Sequence, residues 1–416
     1  MSPAALAPRS LSPGAVVALL TLLLGIQPIA TDLYLPALPT VQRELGASMA
    51  ATQLTLSALV VCFGFAQLAW GPVADRWGRR PVLLGGMALY TAASLAGSAA
   101  TQIETLVAWR ALQGVAMAAA VTCGRSIVRD LYEPGEGARV MSRALSGLGV
   151  IAALCPLVGG YLVERFDWHA ALLALGVFGA GTLAFVGWRY PETVPSRDPS
   201  ATRLGRLAAN WRAVLSHRTF RAWAALSACS YGGLFFLLAG SSFVFIEVLG
   251  TSRVTFGALL SSVSCVYVLG TMLCRRLLAR HGLRGAVKRA AWFTLAGGAG
   301  MAGLSLAGVH EVWAIVIPQY LFAIGHGVHQ PCSQAGAIGP FPEKAGTAAS
   351  LSGFAMTLAG LAVGLWLGAH LDATVYPLTL GIGFASVAVA TVAWTLVQRD
   401  GEPHREGLEA IGPRTA

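Results

Sequence analysis

Twelve stretches of this chain are apolar and long enough to cross a bilayer, and the regular return of such segments limits the fold more than any motif does. They fall at 14–38, 50–70, 81–100, 104–124, 141–163, 168–190, 222–248, 254–274, 287–309, 312–337, 346–370 and 375–397. Each is close to or above the ~20 residues that a helix needs to span hydrocarbon. Charged residues make up 12% of the chain and apolar residues 55%, which excludes a water-soluble globule. No alternation at the ~10-residue scale of an outer-membrane barrel competes with the helical reading. The sequence predicts an all-α integral membrane protein with twelve transmembrane helices.

The distribution of basic residues sets the topology. The net charge of +10 could point to nucleic acid, but only Arg43, Arg165 and Arg253 fall in loops on one side, and Arg110 falls inside a span. The other Lys and Arg gather on the opposite side. That is the positive-inside bias of short loops, so the surplus reads as topogenic and no nucleic-acid partner is expected. Both termini are then cytoplasmic. The first apolar stretch is too long for a signal-peptide core and stays as the first span. Trp70, Trp77, Trp188, Trp292 and Trp394 fall near cytoplasmic ends, and Trp109, Trp168 and Trp313 near opposite ends, as interfacial anchors should.

The longest loop, from Pro191 to Phe220, is rich in Pro, Arg and Ser and divides the spans six and six. The expected organisation is an N-terminal bundle at 1–190, a cytoplasmic linker at 191–220 and a C-terminal bundle with a short tail at 221–416. The turn from Cys274 to Arg284 echoes the one from Gly71 to Pro81, each following the second span of its half. Repeated halves with a site at their interface are a general transporter design. The seven cysteines all fall in or at the ends of spans, without metal-ligand spacing, and read as small packing residues.

Ionisable groups at membrane depth are costly and mark function by default. Asp32 is the one acid well inside a span, with Glu247 near the end of the seventh. It lies in Gln27-Pro-Ile-Ala-Thr-Asp-Leu-Tyr-Leu-Pro-Ala-Leu-Pro39, where Pro28 and Pro36 free backbone carbonyls and let the helix bend around a cavity. A carboxyl there can take up and release a proton; alternatively it stays ionised, held by an Arg or by hydroxyls such as those of Thr31 and Tyr34. Arg110 is the clear intramembrane base, with Arg125 closer to the cytoplasmic end of the same span. Arg110 could pair with Asp32 and tune it, or bond backbone carbonyls of the first span; the sequence leaves both open. In the tenth span His326 and His329 are three apart and so share a face, with Gln330 ahead of Pro331. Substrate binding, proton relay and plain hydrogen-bonded packing all fit them, and a metal site lacks ligands. The fifth span carries Gly147-Leu-Gly-Val-Ile-Ala-Ala-Leu-Cys-Pro-Leu-Val-Gly-Gly160, a small-residue groove with a bend at Pro156.

The turn Gly71-Pro-Val-Ala-Asp-Arg-Trp-Gly-Arg-Arg80 resembles the signature loop between spans 2 and 3 of the major facilitator superfamily. Arg110-Ala-Leu-Gln-Gly114 resembles the span 4 motif of its proton-driven exporters. Pro156, Gly159 and Gly160 resemble the antiporter motif of span 5, with Cys155 in place of the usual glycine before the proline. The segments 31–39 and 341–353 resemble the bicyclomycin and chloramphenicol resistance branch of the twelve-span drug:proton antiporters.

This resemblance implies two pseudo-symmetric six-helix bundles and a proton-coupled exporter of small amphipathic compounds, antibiotics among them, working by alternating access in the bacterial inner membrane. With no nucleophile–base pair or metal cluster in the spans no enzymatic activity is expected, and a monomer with no cofactor beyond the proton gradient is expected. A proton-coupled exporter of an endogenous metabolite is the alternative. By the same resemblance Gly71, Asp75, Arg76, Gly78, Arg79, Arg80 and Asp130 would form a conformational latch docking near Gly346 and Thr347. A carboxylate at a helix N-terminus is favoured by the dipole, and Arg79 can bridge two acids. Asp32 and Arg110 would carry proton coupling. Gln27, Tyr34, Gln113, Tyr231, Phe235, His326 and His329 are the expected cavity wall.

Overall fold

The computed structural model describes residues 12–132, 134–194, 197–341 and 344–402. Pro342 and Glu343 of the 341–353 segment, and both chain ends, lie outside the described residues. The helices are α1 (Pro13–Asp32), α2 (Leu38–Glu44), α3 (Met49–Trp77), α4 (Arg79–Ser98), α5 (Ile103–Leu131), α6 (Pro134–Arg165), α7 (Trp168–Arg189), α8 (Leu204–Ser216), α9 (Arg218–Ser242), α10 (Arg253–Leu306), α11 (Val312–Ile338), α12 (Ala345–His370), α13 (Tyr376–Trp394) and α14 (Leu396–Asp400). Spans one to six are α1 with α2, then α3 to α7. The seventh is α9 with a π-helical last turn, Phe243–Val248. Helix α10 supplies two spans, because its backbone leaves helical geometry at Gly282, where φ is +64°. Helices α11 to α13 complete twelve, and α8 belongs to the linker.

Helix ends follow local chemistry. Ser48, Asp167 and Ser252 cap α3, α7 and α10 by accepting from Ala51, Ala170 and Thr255 backbone N–H groups at 3.1 Å each, the ordinary use of these side chains. Glycines at φ +107° (Gly78) and +64° (Gly282) break the chain after the second span of each half, a conformation that L side chains rarely adopt. The first span is interrupted as its prolines predict. Helix α1 stops at Asp32, a 3-10 turn runs Leu35–Ala37 around Pro36, and α2 resumes.

The first six spans pack on one another through α1 with α6, α3 with α5, and α4 with α5 and α7; the second six pack through α9, both arms of α10, α11, α12 and α13. The two bundles meet along α3 with α12 and α6 with α10. Asp32 and Arg110 both lie in the first bundle, on α1 and α5. We call the end of the molecule that carries residues 71–81 the turn end, and the end that carries Arg43 and Glu247 the far end.

Candidate functional site

Asp32 is the last residue of α1, half-buried. Thr31 Oγ1 lies 2.7 Å from Asp32 Oδ1 and 3.0 Å from the Gln27 carbonyl. The second carboxylate oxygen bonds to no described residue. Tyr231 of α9 and Cys155 of α6 are within electrostatic reach of the carboxylate, so Asp32 faces the seam between the bundles. Gln27, one turn back on α1, is also half-buried.

Arg110 does not touch Asp32. Its side chain, 1% exposed, donates from Nη2 to Ala30 O at 2.8 Å, from Nε to Thr55 O at 3.3 Å and from Nη1 to Gln113 Oε1. The guanidinium carbon lies 4.3 Å from the centre of the Tyr34 ring. Tyr34 Oη donates to Thr55 Oγ1 at 3.1 Å, and Gln113 Nε2 to Ser94 Oγ at 2.7 Å. Of the two readings open in the sequence, the geometry is the one in which Arg110 bonds a carbonyl of the first span. It joins α1, α3 and α5 beside Asp32, and its guanidinium, Tyr34 Oη and the Gln113 amide each have a partner, as low-dielectric burial demands. Tyr34 and Gln113 belong to this network, where both are buried beside the guanidinium.

Across the seam, Tyr231 and Phe235 lie on α9 with ring centres 6.0 Å apart. Phe235 is fully buried against Gly360 and Gly364 of α12, so it packs the bundle while Tyr231 borders Asp32. The two histidines diverge. His326 Nδ1 is 2.8 Å from Ser230 Oγ of α9, whereas His329 Nε2 is 3.1 Å from Thr294 Oγ1 on the second arm of α10. Three residues along a helix turn through about 300°, leaving a 60° offset, and α11 lies between those two neighbours. His326 and His329 share the face of α11, and each bonds to a different neighbouring helix.

The charged turn forms one compact cluster. Arg79, 3% exposed, binds Asp75 Oδ1 from Nη2 at 2.5 Å and Asp130 Oδ2 from Nε at 3.1 Å. Arg129 approaches both acids at 4.0 and 3.9 Å. Asp75 lies in the last turn of α3, so Arg79 and not a helix N-terminus compensates it. That N-terminal position, on α4, is filled by Glu192, whose Oε1 accepts from Arg79 N at 2.9 Å and whose Oε2 accepts from Arg80 N at 3.2 Å. A carboxylate there satisfies two orphan donors and the dipole together. A Cβ on Gly78 would run into Glu192 Oε2, so this glycine serves both its positive φ and the close approach. Arg80 Nη2 donates to Gly187 O at 3.0 Å, and Arg76 Nη1 to Thr202 Oγ1 of the linker at 2.6 Å. Gly71 rests 3.8 Å from Thr122 of α5, measured from where its Cβ would stand. No hydrogen bond or ion pair joins the cluster to Gly346 or Thr347 among the described residues, while α3, which leads into the turn, packs on α12.

At the far end the bundles are tied together. Arg43 pairs with Glu247 at 3.1 Å, Arg253 Nη2 donates to Thr40 Oγ1 at 2.9 Å, Val254 N donates to Glu164 Oε2 at 3.0 Å, and Gln53 Nε2 donates to Ala239 O at 2.7 Å. The fifth-span glycines face two different helices. A Cβ on Gly159 would strike the Leu33 carbonyl of the first span, and one on Gly160 the Arg253 carbonyl of α10; Gly257 of α10 in turn leaves room only for the Pro156 carbonyl. Small residues here let backbone pack on backbone. None of Glu192, Thr40, Gln53 or Glu164 was expected from sequence. Each acts on a helix distant in sequence and has no local pattern to mark it.

Comparison with known proteins agrees with this geometry. Residues 20–364 match the Major Facilitator Superfamily model. Multidrug resistance protein D of Escherichia coli is 30% identical over 80% of this chain and 84% of its own length. A bicyclomycin resistance protein homolog of Haemophilus influenzae is 26% identical over 89% and 92%. Among solved structures, a D-xylose-proton symporter superposes with a TM-score of 0.71 over 94% of this chain and 99% of its own, at 16% identity, a likeness of fold alone. The chain belongs to the major facilitator superfamily, a family of multi-pass membrane transporters. Within it, its relatives place it in the bicyclomycin and chloramphenicol resistance branch.

Proposed function

We propose that this protein is a proton-coupled exporter of small amphipathic compounds, antibiotics among them, working by alternating access in the bacterial inner membrane. The observation that carries the reading is Asp32: the acid well inside a span, with one oxygen held by Thr31 and the other open to the seam. Such a carboxyl can exchange a proton for a bound compound, with the proton gradient as the energy source and no cofactor. The names of the relatives support drugs as cargo.

The positive-inside bias assigns the turn end and both termini to the cytoplasm. With that orientation the conformation is closed outward, by Arg43–Glu247 and the Gly257–Pro156 contact, and unlatched inward. Asp75, Arg79 and Asp130, with Glu192, form the first bundle's half of a cytoplasmic latch whose second half is the start of α12. All of these parts lie in one chain, so a monomer suffices.

The test is uptake into inverted vesicles under an imposed pH gradient, screened over a drug panel. Asp32→Asn is expected to lose gradient-driven uptake by about tenfold or more, since the amide cannot carry the proton, while retaining equilibrium binding of the same drug. Full gradient-driven uptake by Asp32→Asn would overturn the coupling role.

A further inference from the structure

The second arginine of α5 is unused by anything described so far. Arg125 lies six residues before the end of α5, about 9 Å inside it at 1.5 Å per residue. Its guanidinium has no hydrogen bond or ion pair to any described residue, and its side chain is exposed. Arg110 and Arg79, by contrast, each hold several partners. The direction of Arg125 follows from its neighbours. A Cβ on Gly124 would meet Leu23 of α1 at 3.4 Å, and Thr122 abuts Gly71 of α3. At 100° per residue Arg125 falls on the arc between those contacts, which opens between α1 and α3 onto the space between the bundles.

Helix α11 of the second bundle carries two carboxamides at similar depth. Gln330 and Gln334 lie about 12 and 6 Å inside its turn end by the same rise. Their Nε2 atoms are 3.4 and 3.6 Å from the Met356 sulfur, a weak acceptor that an oxyanion readily displaces. The buried Oε1 of Gln330 has no partner.

We propose that the compounds this protein takes up from the cytoplasmic side carry an anionic group, a carboxylate or similar oxyanion, received by Arg125 and by the amide N–H groups of Gln330 and Gln334. The inference rests on the exporter reading and gives that site its substrate class. An unpaired guanidinium within a span marks a path for ligands or ions, and its fork of donors matches a carboxylate in two parallel hydrogen bonds. The apolar body of the compound then extends toward Tyr231 and Asp32, so the anion and the proton-carrying acid lie at opposite ends of the cargo.

Two probes with one aromatic body decide the matter, 1-pyrenebutyrate and 1-pyrenebutyltrimethylammonium. Their equilibrium binding is measured on the full chain in nanodiscs, with protein-free nanodiscs subtracted and no pH gradient. The wild type is expected to bind the butyrate more tightly. Arg125→Gln weakens the butyrate by about tenfold or more, the scale of one charge-assisted pair, and leaves the ammonium probe unchanged or tighter. Arg125→Lys, which keeps the charge and loses the fork, weakens the butyrate by a smaller factor and stands in should the glutamine variant fail to fold. Equal affinity of the wild type for both probes, or equal loss of both in either variant, overturns the proposal. Because no gradient is applied, this outcome is separate from the Asp32→Asn test: charge selection can fail while coupling holds, and the reverse.

Discussion

The two ends of this molecule use charge in opposite ways. At the far end Arg43 and Glu247 lie on different bundles and are 55% and 38% exposed, whereas Arg79 and Asp130 at the turn end lie on one bundle and are 3% and 7% exposed. An exposed pair is weak and reversible; a buried one is costly to break. The weak pair therefore suits an opening gate, and the strong one holds together the piece that the gate moves. What closes the far end is backbone packing at Gly159, Gly160 and Gly257, with the ion pair as an addition.

Removing the buried cation gives the largest expected effect. Arg79→Ala leaves buried Asp130 with only the exposed Arg129 at 3.9 Å, a loss of up to about 3–5 kcal/mol for breaking a buried pair from one side. Thermal stability in detergent should fall sharply, while the distance between spin labels on the 45–47 and 249–251 loops stays as in the wild type. A far-end distance that changes in this variant would show that the cluster does more than hold the first bundle.

Gly257→Leu comes next and acts on the other end. Its side chain would run into the Pro156 carbonyl, and overpacking costs about 1–3 kcal/mol. Across a two-state equilibrium that is about a 5- to 150-fold shift, here toward a far end that is open. The same label pair should lengthen, and drug uptake should fall with little change in thermal stability. An unchanged distance would remove backbone packing as the closing element.

The contrast between the ends also separates what the sequence discloses from what it hides. The all-helical membrane fold and the break at Pro36 are legible because hydrophobic length and proline act locally. Asp32 stands out by being an acid where none is cheap. Arg110 stands out equally, yet the partners that define it, the Ala30 and Thr55 carbonyls and the Tyr34 ring, come from two other helices. The same holds for Glu192, which caps a helix 113 residues before it, and for the histidines, whose neighbours Ser230 and Thr294 determine their directions. Composition reveals which groups are costly; only packing reveals what satisfies them.

The smallest expected effect tests the exposed pair. Arg43→Ala and Glu247→Ala should each raise the far-end-open population by no more than about fivefold, the equivalent of ~1 kcal/mol for a surface ion pair. The double variant should add little to either single one, since both remove the same interaction. Raising salt should move the wild type toward the variants and leave Gly257→Leu unmoved, because screening acts on exposed charge and not on packed backbone. If instead the single variants open the far end as far as Gly257→Leu does, closure is electrostatic, and the roles assigned to the two ends must be exchanged.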